Sequence, residues 1–327
     1  MTEPIADVGL RLLGCFARLR IPWADGRIFN DADLREASAI IVRLVPITAS
    51  LLSKAVNLKV VGRHGAGLDT VDLEAATSRR IPVVYTPFAN ANAVAEHTLH
   101  LILSLARYTL AGDRAVRDSR FDLRDSLVGF ELRCKTLGMV GIGSIGLRVA
   151  EICHNGFEMK IVAYDPFVKS LAPPYGFVSR ADSLRELLQQ ADVVTLHLPL
   201  TPETHHMINS DSIGWMKSSA WLINTARGSV VDTVALANAL NGGQLAGAAL
   251  DVFENEPLPA DHPLQSAAHV LFSPHIGGST LEAREAMGEI VARQVLQVLN
   301  GQRPEFVANP QALRDWPAVG QMSSIGH

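Results

Sequence analysis

A chain of 327 residues, 48% of them apolar, is long enough for two domains with real cores and too apolar to be disordered. Its net charge near −4 offers no electrostatic case for binding nucleic acid or an anionic membrane surface. No apolar run reaches the roughly 18 residues a membrane helix needs, no signal peptide opens the chain, and its three cysteines, Cys15, Cys134 and Cys153, form no CxxC pair and suit a reducing cytoplasm.

In chain order, residues 5–13 pattern as a helix and 22–31 as a loop. A buried strand is expected over 39–43, a short helix over 48–55 and a second strand over 59–63. That strand runs into a glycine-rich turn, His64-Gly65-Ala66-Gly67-Leu68-Asp69. Asp72 opens a helix through residue 79, and 82–85 reads as a strand. Strands alternating with helices predict a parallel, helix-covered sheet, so this part reads as a small α/β domain. The helical pattern over 91–107, with Ala95, Leu99, Ile102 and Leu105 on related faces, has the length of an interdomain connector.

The next stretch organises the rest. An apolar strand over 136–140 is followed by Gly141, Gly143 and Gly146 at G-x-G-x-x-G spacing, by a helical pattern from Ile145 to Ile152, and by a second strand over 160–164 that ends on Asp165. Strand, turn, helix and strand in this order make the glycines a dinucleotide-binding fingerprint. Gly141 permits the tight turn, Gly143 lets the backbone approach a pyrophosphate, and Gly146 lets helix and strand pack closely. The helix N-terminus offers free N–H groups to the phosphates. Asp165 is placed to accept hydrogen bonds from the adenosine ribose and repels a 2′-phosphate, so NAD is expected over NADP.

Beyond Asp165, the Ser183-to-Glu186 spacing is that of a capping box before a short helix. Strands are expected over 192–198, 221–225, 246–252 and 270–273. Asp232 caps a helix that stops near Gly242, and a long amphipathic helix over 280–300 is closed by Gly301. Ligands of open parallel sheets sit at the carboxyl ends of the strands. Those ends carry the glycine turn, Asp165, Leu198-Pro199, Ala226-Arg227, Asp251 with Glu254 and Glu256, and His275 followed by Gly277-Gly278. A base, an acid and a guanidinium beside a nicotinamide suit hydride transfer. Histidine can exchange the carbonyl's proton, a carboxylate can orient it, and arginine can grip a substrate carboxylate. His97, His100 and His269 read as buried or interface residues and His205 and His206 as loop residues. No histidine pair has metal-site spacing, so no metal is expected.

GRHGAGLDTVDL from Gly62, NANAVAEHTL from Asn90, TLGMVGIGSIG from Thr136, VAYDP ending at Pro166, INTARG from Ile223, ALDVFENEP from Ala249 and PHIGGST from Pro274 occur in one order over about residues 39–310. With these segments the chain resembles the D-isomer-specific 2-hydroxyacid dehydrogenases, and in pattern their D-3-phosphoglycerate dehydrogenase branch. The resemblance implies an α/β fold of two Rossmann-like parallel-sheet domains, a flavodoxin-like substrate domain and an NAD-binding Rossmann domain, with the active site in the cleft between them. It implies a discontinuous substrate domain at 1–98 and 290–327 around a nucleotide domain at 99–289. It further implies a homodimer built through the nucleotide domain.

By the same resemblance the catalytic set falls on Arg227, Glu256 and His275. His275 would be the acid/base, Glu256 its tuning partner, and Arg227 the grip on the substrate carboxylate. The substrate loop falls on His64, Gly65 and Ala66, with Arg43 at a position used for a phosphate. Cofactor contacts fall on Ser144, Ile145, Asp165, Leu198, Thr225, Asp251 and Gly277, beside Gly141, Gly143 and Gly146. The strand-end reading adds Pro199, Ala226 and Gly278. The implied reaction interconverts a D-2-hydroxy acid and its 2-oxo acid. Val45 to Ile47 and Ala66 replace polar or basic residues usual in the phosphoglycerate branch, so glyoxylate and hydroxypyruvate stand as candidates beside phosphohydroxypyruvate. Almost nothing precedes the segment matching Thr2-Glu3-Pro4-Ile5, so the first strand of the substrate domain is expected to be missing or short. The tail from Trp316 is expected to be disordered. Two other readings stand beside this one: an NAD(H)-sensing binding protein of the corepressor type, and an inactive or poorly folded paralogue.

Overall fold

The computed structural model describes residues 1–171, 173–314 and 316, so the tail beyond Trp316 lies outside the described residues. The chain divides into two compact units, one formed by Met1–Asn90 and the chain from Ser279 onward, the other by Ala91–Gly278. These junctions immediately precede the helices Ala91–Ala106 and Leu281–Leu299, whereas the junctions expected at 98/99 and 289/290 fall inside them. A helix buries one continuous apolar stripe, so it stays whole with one core.

The first unit holds a parallel sheet of β1 (Ala39–Val42), β2 (Val60–Arg63) and β3 (Val83–Val84), in that order. Side chains alternate across it, as a period of two requires. Ile40, Val42, Val61 and Val83 join Leu34, Leu52 and Ala76 on one face, while Ile41, Val60 and Val84 join Leu13, Val291 and Val295 on the other. The second face is covered by the helices Asp7–Gly14 and Leu281–Leu299, which touch at Gly9 and Gly288. A Cβ on Gly9 would lie 2.6 Å from the Gly288 carbonyl oxygen. The chain then returns to β3, where Ala308 N donates to Val83 O at 2.8 Å. Asn309, fully enclosed there, accepts from Val83 N at 2.8 Å and donates to Ile81 O at 3.0 Å. At the free edge of β1, Thr2 N donates to Ile41 O at 3.1 Å, but no strand forms beside β1 among the described residues.

The loop expected over 22–31 is partly helical. A 3-10 turn occupies Pro22–Asp25, and Asn30 and Asp33 form a reciprocal capping box that opens the helix Asp31–Arg35. The helix is too short for apolar periodicity to reveal it.

The second unit is a seven-stranded parallel sheet. Its strands are β4 (Thr136–Val140), β5 (Lys160–Tyr164), β6 (Val178–Arg180), β7 (Val193–Leu196), β8 (Trp221–Asn224), β9 (Gly247–Leu250) and β10 (Val270–Phe272). Their order is β10-β9-β8-β7-β4-β5-β6, so the chain runs outward from β4 through β5 to β6 and then restarts at β7 on the other side. Both faces are buried. Leu137, Met139, Ile161 and Ile223 face one core, and Val140, Val194, Leu222 and Leu250 the other, which is why these strands read as unbroken apolar runs. The helix Ala91–Ala106, which its length suggested was a connector, packs on the helix Ser144–Phe157 and on β8 and β9. It belongs to this unit's core. The helix Thr109–Arg117 and the strand β6 carry patterns too short or too polar to have been predicted.

Ser183 caps the helix Leu184–Gln190 through Glu186 N at 3.2 Å, but the Glu186 carboxylate reaches back to Asp182 N, one residue before the cap. The expected box is therefore half formed.

Each unit encloses a neutral histidine. Burial pushes His64 down to about 4, and Arg43 and Arg63 nearby add to this, while burial alone takes His197 down to about 3. Both groups titrate near 6.5 when unfolded, so the unfolded chain binds more protons below that value. Their contribution to stability is full above about pH 6.5 and falls as the pH drops toward 4. The urea midpoint should decline over that window, and His64→Phe, which cannot titrate, should make the decline shallower.

Candidate active site

The sheet changes direction between β4 and β7, and there two strand-end loops meet. Gly141 follows β4 with φ +94°, a conformation open to glycine, and donates its N–H to Tyr164 O at 2.9 Å. A Cβ on it would lie 2.3 Å from His197 O and 3.3 Å from the Leu198 Cβ, so the turn is pressed onto the β7 loop that continues into Pro199. Gly146 is equally confined, its missing Cβ 2.7 Å from Gly141 O and 2.9 Å from Met139 Sδ. Gly143 has nothing within 4 Å. It precedes the helix Ser144–Phe157 and offers no side-chain cap, so the first N–H groups, at Ser144 and Ile145, open onto free space. Asp165 is oriented by two backbone donors, Ile142 N and Phe167 N, each at 2.9 Å.

Around the same rim, Thr225, Ala226 and Arg227 follow β8. Buried Asn224 pins their turn by accepting from Ala226 N at 3.0 Å and donating to Arg227 O at 2.9 Å. Gly228 lies so close to the β9 loop that a Cβ would fall 1.9 Å from the Phe253 carbonyl carbon. That loop carries Glu256, whose Oε1 accepts from Phe253 N at 3.1 Å and whose Oε2 lies 2.7 Å from His275 Nδ1. The carboxylate therefore holds the Nδ1–H tautomer and leaves Nε2 outside the pairing. Arg227, Glu256 and His275 thus come from three strand-end loops of one unit.

His275 itself sits at φ +53°, rare for a non-glycine residue. Asp251, 1% exposed, holds the loop around it. Its carbonyl accepts from His275 N at 2.8 Å, Oδ1 from Ile276 N at 2.9 Å and Oδ2 from Gly277 N at 2.8 Å, with Gly278 following. Burial pushes the Asp251 carboxyl up, but hydrogen bonds from His97, Ser273, Ile276 and Gly277 outweigh it and hold the group below the usual carboxylate value. Asp251 was read either as orienting the loop of His275 or as touching the nicotinamide end; here its carboxylate accepts from that loop's N–H groups.

Sequence reasoning missed two supports. His97 and Ser273 complete the Asp251 cluster, although both lie in segments already singled out. Glu254 binds Thr233 through one oxygen and His206 Nε2 at 2.9 Å through the other, while His262 Nε2 reaches Thr233 Oγ1 at 3.2 Å. His206 was read as a plain loop residue; it braces the turn after Arg227, its N–H donating to Ser229 O at 2.8 Å.

In the first unit, Arg43 follows β1, and His64, Gly65 and Ala66 follow β2. The Arg63 guanidinium folds back onto His64 O at 2.6 Å, beneath Gly65 at φ +148°. Buried Thr86 donates its N–H to Gly65 O at 3.1 Å. Arg43 is half-buried and makes no ion pair among the described residues.

The sequence pattern described as "D-isomer specific 2-hydroxyacid dehydrogenase, NAD binding domain" matches residues 99–277. The chain belongs to that family. It is 41% identical over 303 residues to a glyoxylate reductase of Thermofilum pendens, covering 90% of this chain and 88% of that one. It is 42% identical over 311 residues to a D-3-phosphoglycerate dehydrogenase of Methanocaldococcus jannaschii, covering 94% of this chain and 59% of that one. The chain thus spans little more than half the length of the phosphoglycerate dehydrogenases it matches. Among solved structures, a D-lactate dehydrogenase of Aquifex aeolicus complexed with NAD and lactic acid superposes with a TM-score of 0.77 at 35% identity, covering 84% of this chain and 86% of that one.

Members of this dehydrogenase family are NAD-dependent oxidoreductases, and the residues here fit the cofactor: open space at Gly143, an uncapped helix end for phosphates, and an oriented carboxylate at Asp165 for ribose hydroxyls. Among the described residues no helix is long and apolar enough to cross a membrane, and no group of three His, Cys, Asp or Glu side chains could hold a metal ion. Two glycine variants separate packing from binding. Gly143→Ala should melt like the parent without NAD but lose the NAD-induced rise in Tm, because its methyl meets only the pyrophosphate. Gly146→Val should lower Tm even without NAD, because overpacking of this kind costs about 1–3 kcal/mol of stability. Thermal melts with and without NAD test both.

Proposed function

We propose that this protein is an NAD-dependent D-2-hydroxyacid dehydrogenase in which His275, Glu256 and Arg227 act on a small 2-oxo acid. The observation that carries this reading is the 2.7 Å pairing of His275 Nδ1 with Glu256 on the rim that also bears the glycine turn. Bound NADH supplies the hydride to the carbonyl carbon. His275 donates its Nε2 proton to the carbonyl oxygen, giving the hydroxy acid, and takes it back in the reverse direction. Glu256 stabilises the imidazolium, and Arg227 grips the carboxylate bidentately and polarises the adjoining carbonyl.

From the first unit, the backbone of His64, Gly65 and Ala66 is assigned to the substrate, and Arg43 to a distal anionic group where the substrate has one. We assign Ser144, Ile145, Leu198, Pro199, Thr225, Ala226, Gly277 and Gly278, with the three glycines and Asp165, to the cofactor. Relatives named glyoxylate reductase and D-3-phosphoglycerate dehydrogenase support glyoxylate, hydroxypyruvate and phosphohydroxypyruvate as the substrates to try.

We assign the cytoplasm as the compartment, since all three cysteines are unpaired. A homodimer through the nucleotide-binding unit is supported by Leu110, Val116, Phe121 and Val128, large apolar side chains left exposed on and after the helix Thr109–Arg117.

NADH oxidation across glyoxylate, hydroxypyruvate, pyruvate and phosphohydroxypyruvate, repeated with NADPH, should reveal one strong substrate and a preference for NADH. Silence across the panel with NAD still bound would move the reading to an NAD(H) sensor. His275→Ala should lose turnover by about 10²–10⁴-fold while keeping NAD affinity. Glu256→Gln keeps an acceptor for the imidazole N–H but removes the negative charge beside it, so turnover should fall while NAD affinity is kept. Parental turnover would remove its role.

A further inference from the structure

The Asp251 carboxylate that holds the His275 loop is itself approached from the helix Ala91–Ala106. His97 Nε2 lies 2.9 Å from Ser273 Oγ and 3.3 Å from Asp251 Oδ1, and Ser273 Oγ lies 2.6 Å from the same Oδ1. Proton arithmetic fixes the directions. Ionised Asp251 only accepts, so the single Ser273 hydroxyl proton points to it. The Ser273 oxygen must then accept from His97, which therefore carries its proton on Nε2. One carboxylate thus gathers a hydroxyl, an imidazole N–H and two backbone N–H groups from the helix, the end of β10 and the loop beyond it.

We propose that His97 is a positioning residue for the hydride-transfer reaction, acting through Ser273 and Asp251 to hold His275 in its left-handed conformation. The inference rests on the reading of His275 as the acid/base. A residue at φ +53° keeps that conformation only where its neighbours over-determine it. Here the neighbours are hydrogen bonds to both sides of Asp251: its carbonyl to His275 N, and its carboxylate to the next two N–H groups. The carboxylate can face that way only if its remaining lone pairs stay satisfied in a site closed to water. His97 and Ser273 satisfy them. Removing the imidazole donor frees Asp251 to rotate, and the reacting ring moves with the loop. A shift of about 1 Å at a reacting group costs on the order of a hundredfold in rate, so a smaller displacement is expected to cost about tenfold.

The test is a double-mutant cycle. His97→Phe keeps an aromatic ring and removes the donor, and should lower kcat about tenfold with little change in KM for NADH. His97→Gln restores an N–H at similar reach and should return kcat to within about threefold of the parent. Ser273→Ala, a small change at a buried site, should lower kcat by a similar factor, and the double variant should lose no more than the worse single variant. Parental kcat in His97→Phe, a failed rescue by His97→Gln, or losses that multiply in the double variant would each overturn the proposal. His275→Ala is run alongside. Its inactivity together with an unaffected His97→Phe overturns the His97 assignment alone, whereas an active His275→Ala overturns the reading beneath it.

Discussion

Parallel strands cannot be joined by hairpins. Each must be left at its carboxyl end and re-entered at its amino end by a crossover, so all carboxyl ends open on one rim. In the second unit this constraint does more than any single contact. The glycine turn, Asp165, the Arg227 turn, Asp251, Glu256 and His275 are far apart in the chain, yet each follows a strand of the same sheet. The rim collects them from the ends of five strands. Burial of both faces supplies the rigidity, and at the reversal between β4 and β7 the glycine turn lies against the β7 loop.

Local devices then refine what topology assembles. Three kinds of constraint recur on the rim. Missing side chains let backbones touch, as Gly141 does against His197 and Gly228 against Phe253. Buried amides and carboxylates, Asn224 and Asp251, collect backbone N–H groups that no strand can satisfy. Pairings half open to water, such as His275 with Glu256, stay accessible from outside. The first two are rigid and the third is open, a division that suits the hydride-transfer site proposed above.

Much of this was readable in advance because the requirements are local. A turn that tolerates only glycine, a carboxylate at a strand end and a histidine before two glycines announce themselves within a few residues, and the segment order carried the family resemblance. What stayed hidden depends on meetings between distant segments. Periodicity over 91–107 shows an amphipathic helix but not which core receives it, so the helix looked like a connector. His97 and His206 are ordinary polar residues in sequence; their roles come from Ser273, Asp251 and Glu254, each reached only through the fold. The helix Asp31–Arg35 was written in Asn30 and Asp33, but five residues give apolar spacing nothing to repeat.

The first unit is made from both ends of the chain. Its sheet is synthesised within the first ninety residues, but one face of it is covered by the helix Leu281–Leu299, and its last strand is sealed by Ala308 and Asn309. The second unit is continuous and can close as soon as Gly278 has left the ribosome. At about 5–20 residues per second the nascent first sheet waits on the order of ten seconds or more for its missing helix. During synthesis Val60, Ile41 and Val84 therefore have only the helix Asp7–Gly14 over them while the second unit folds, so of the two units the one begun earlier is completed later.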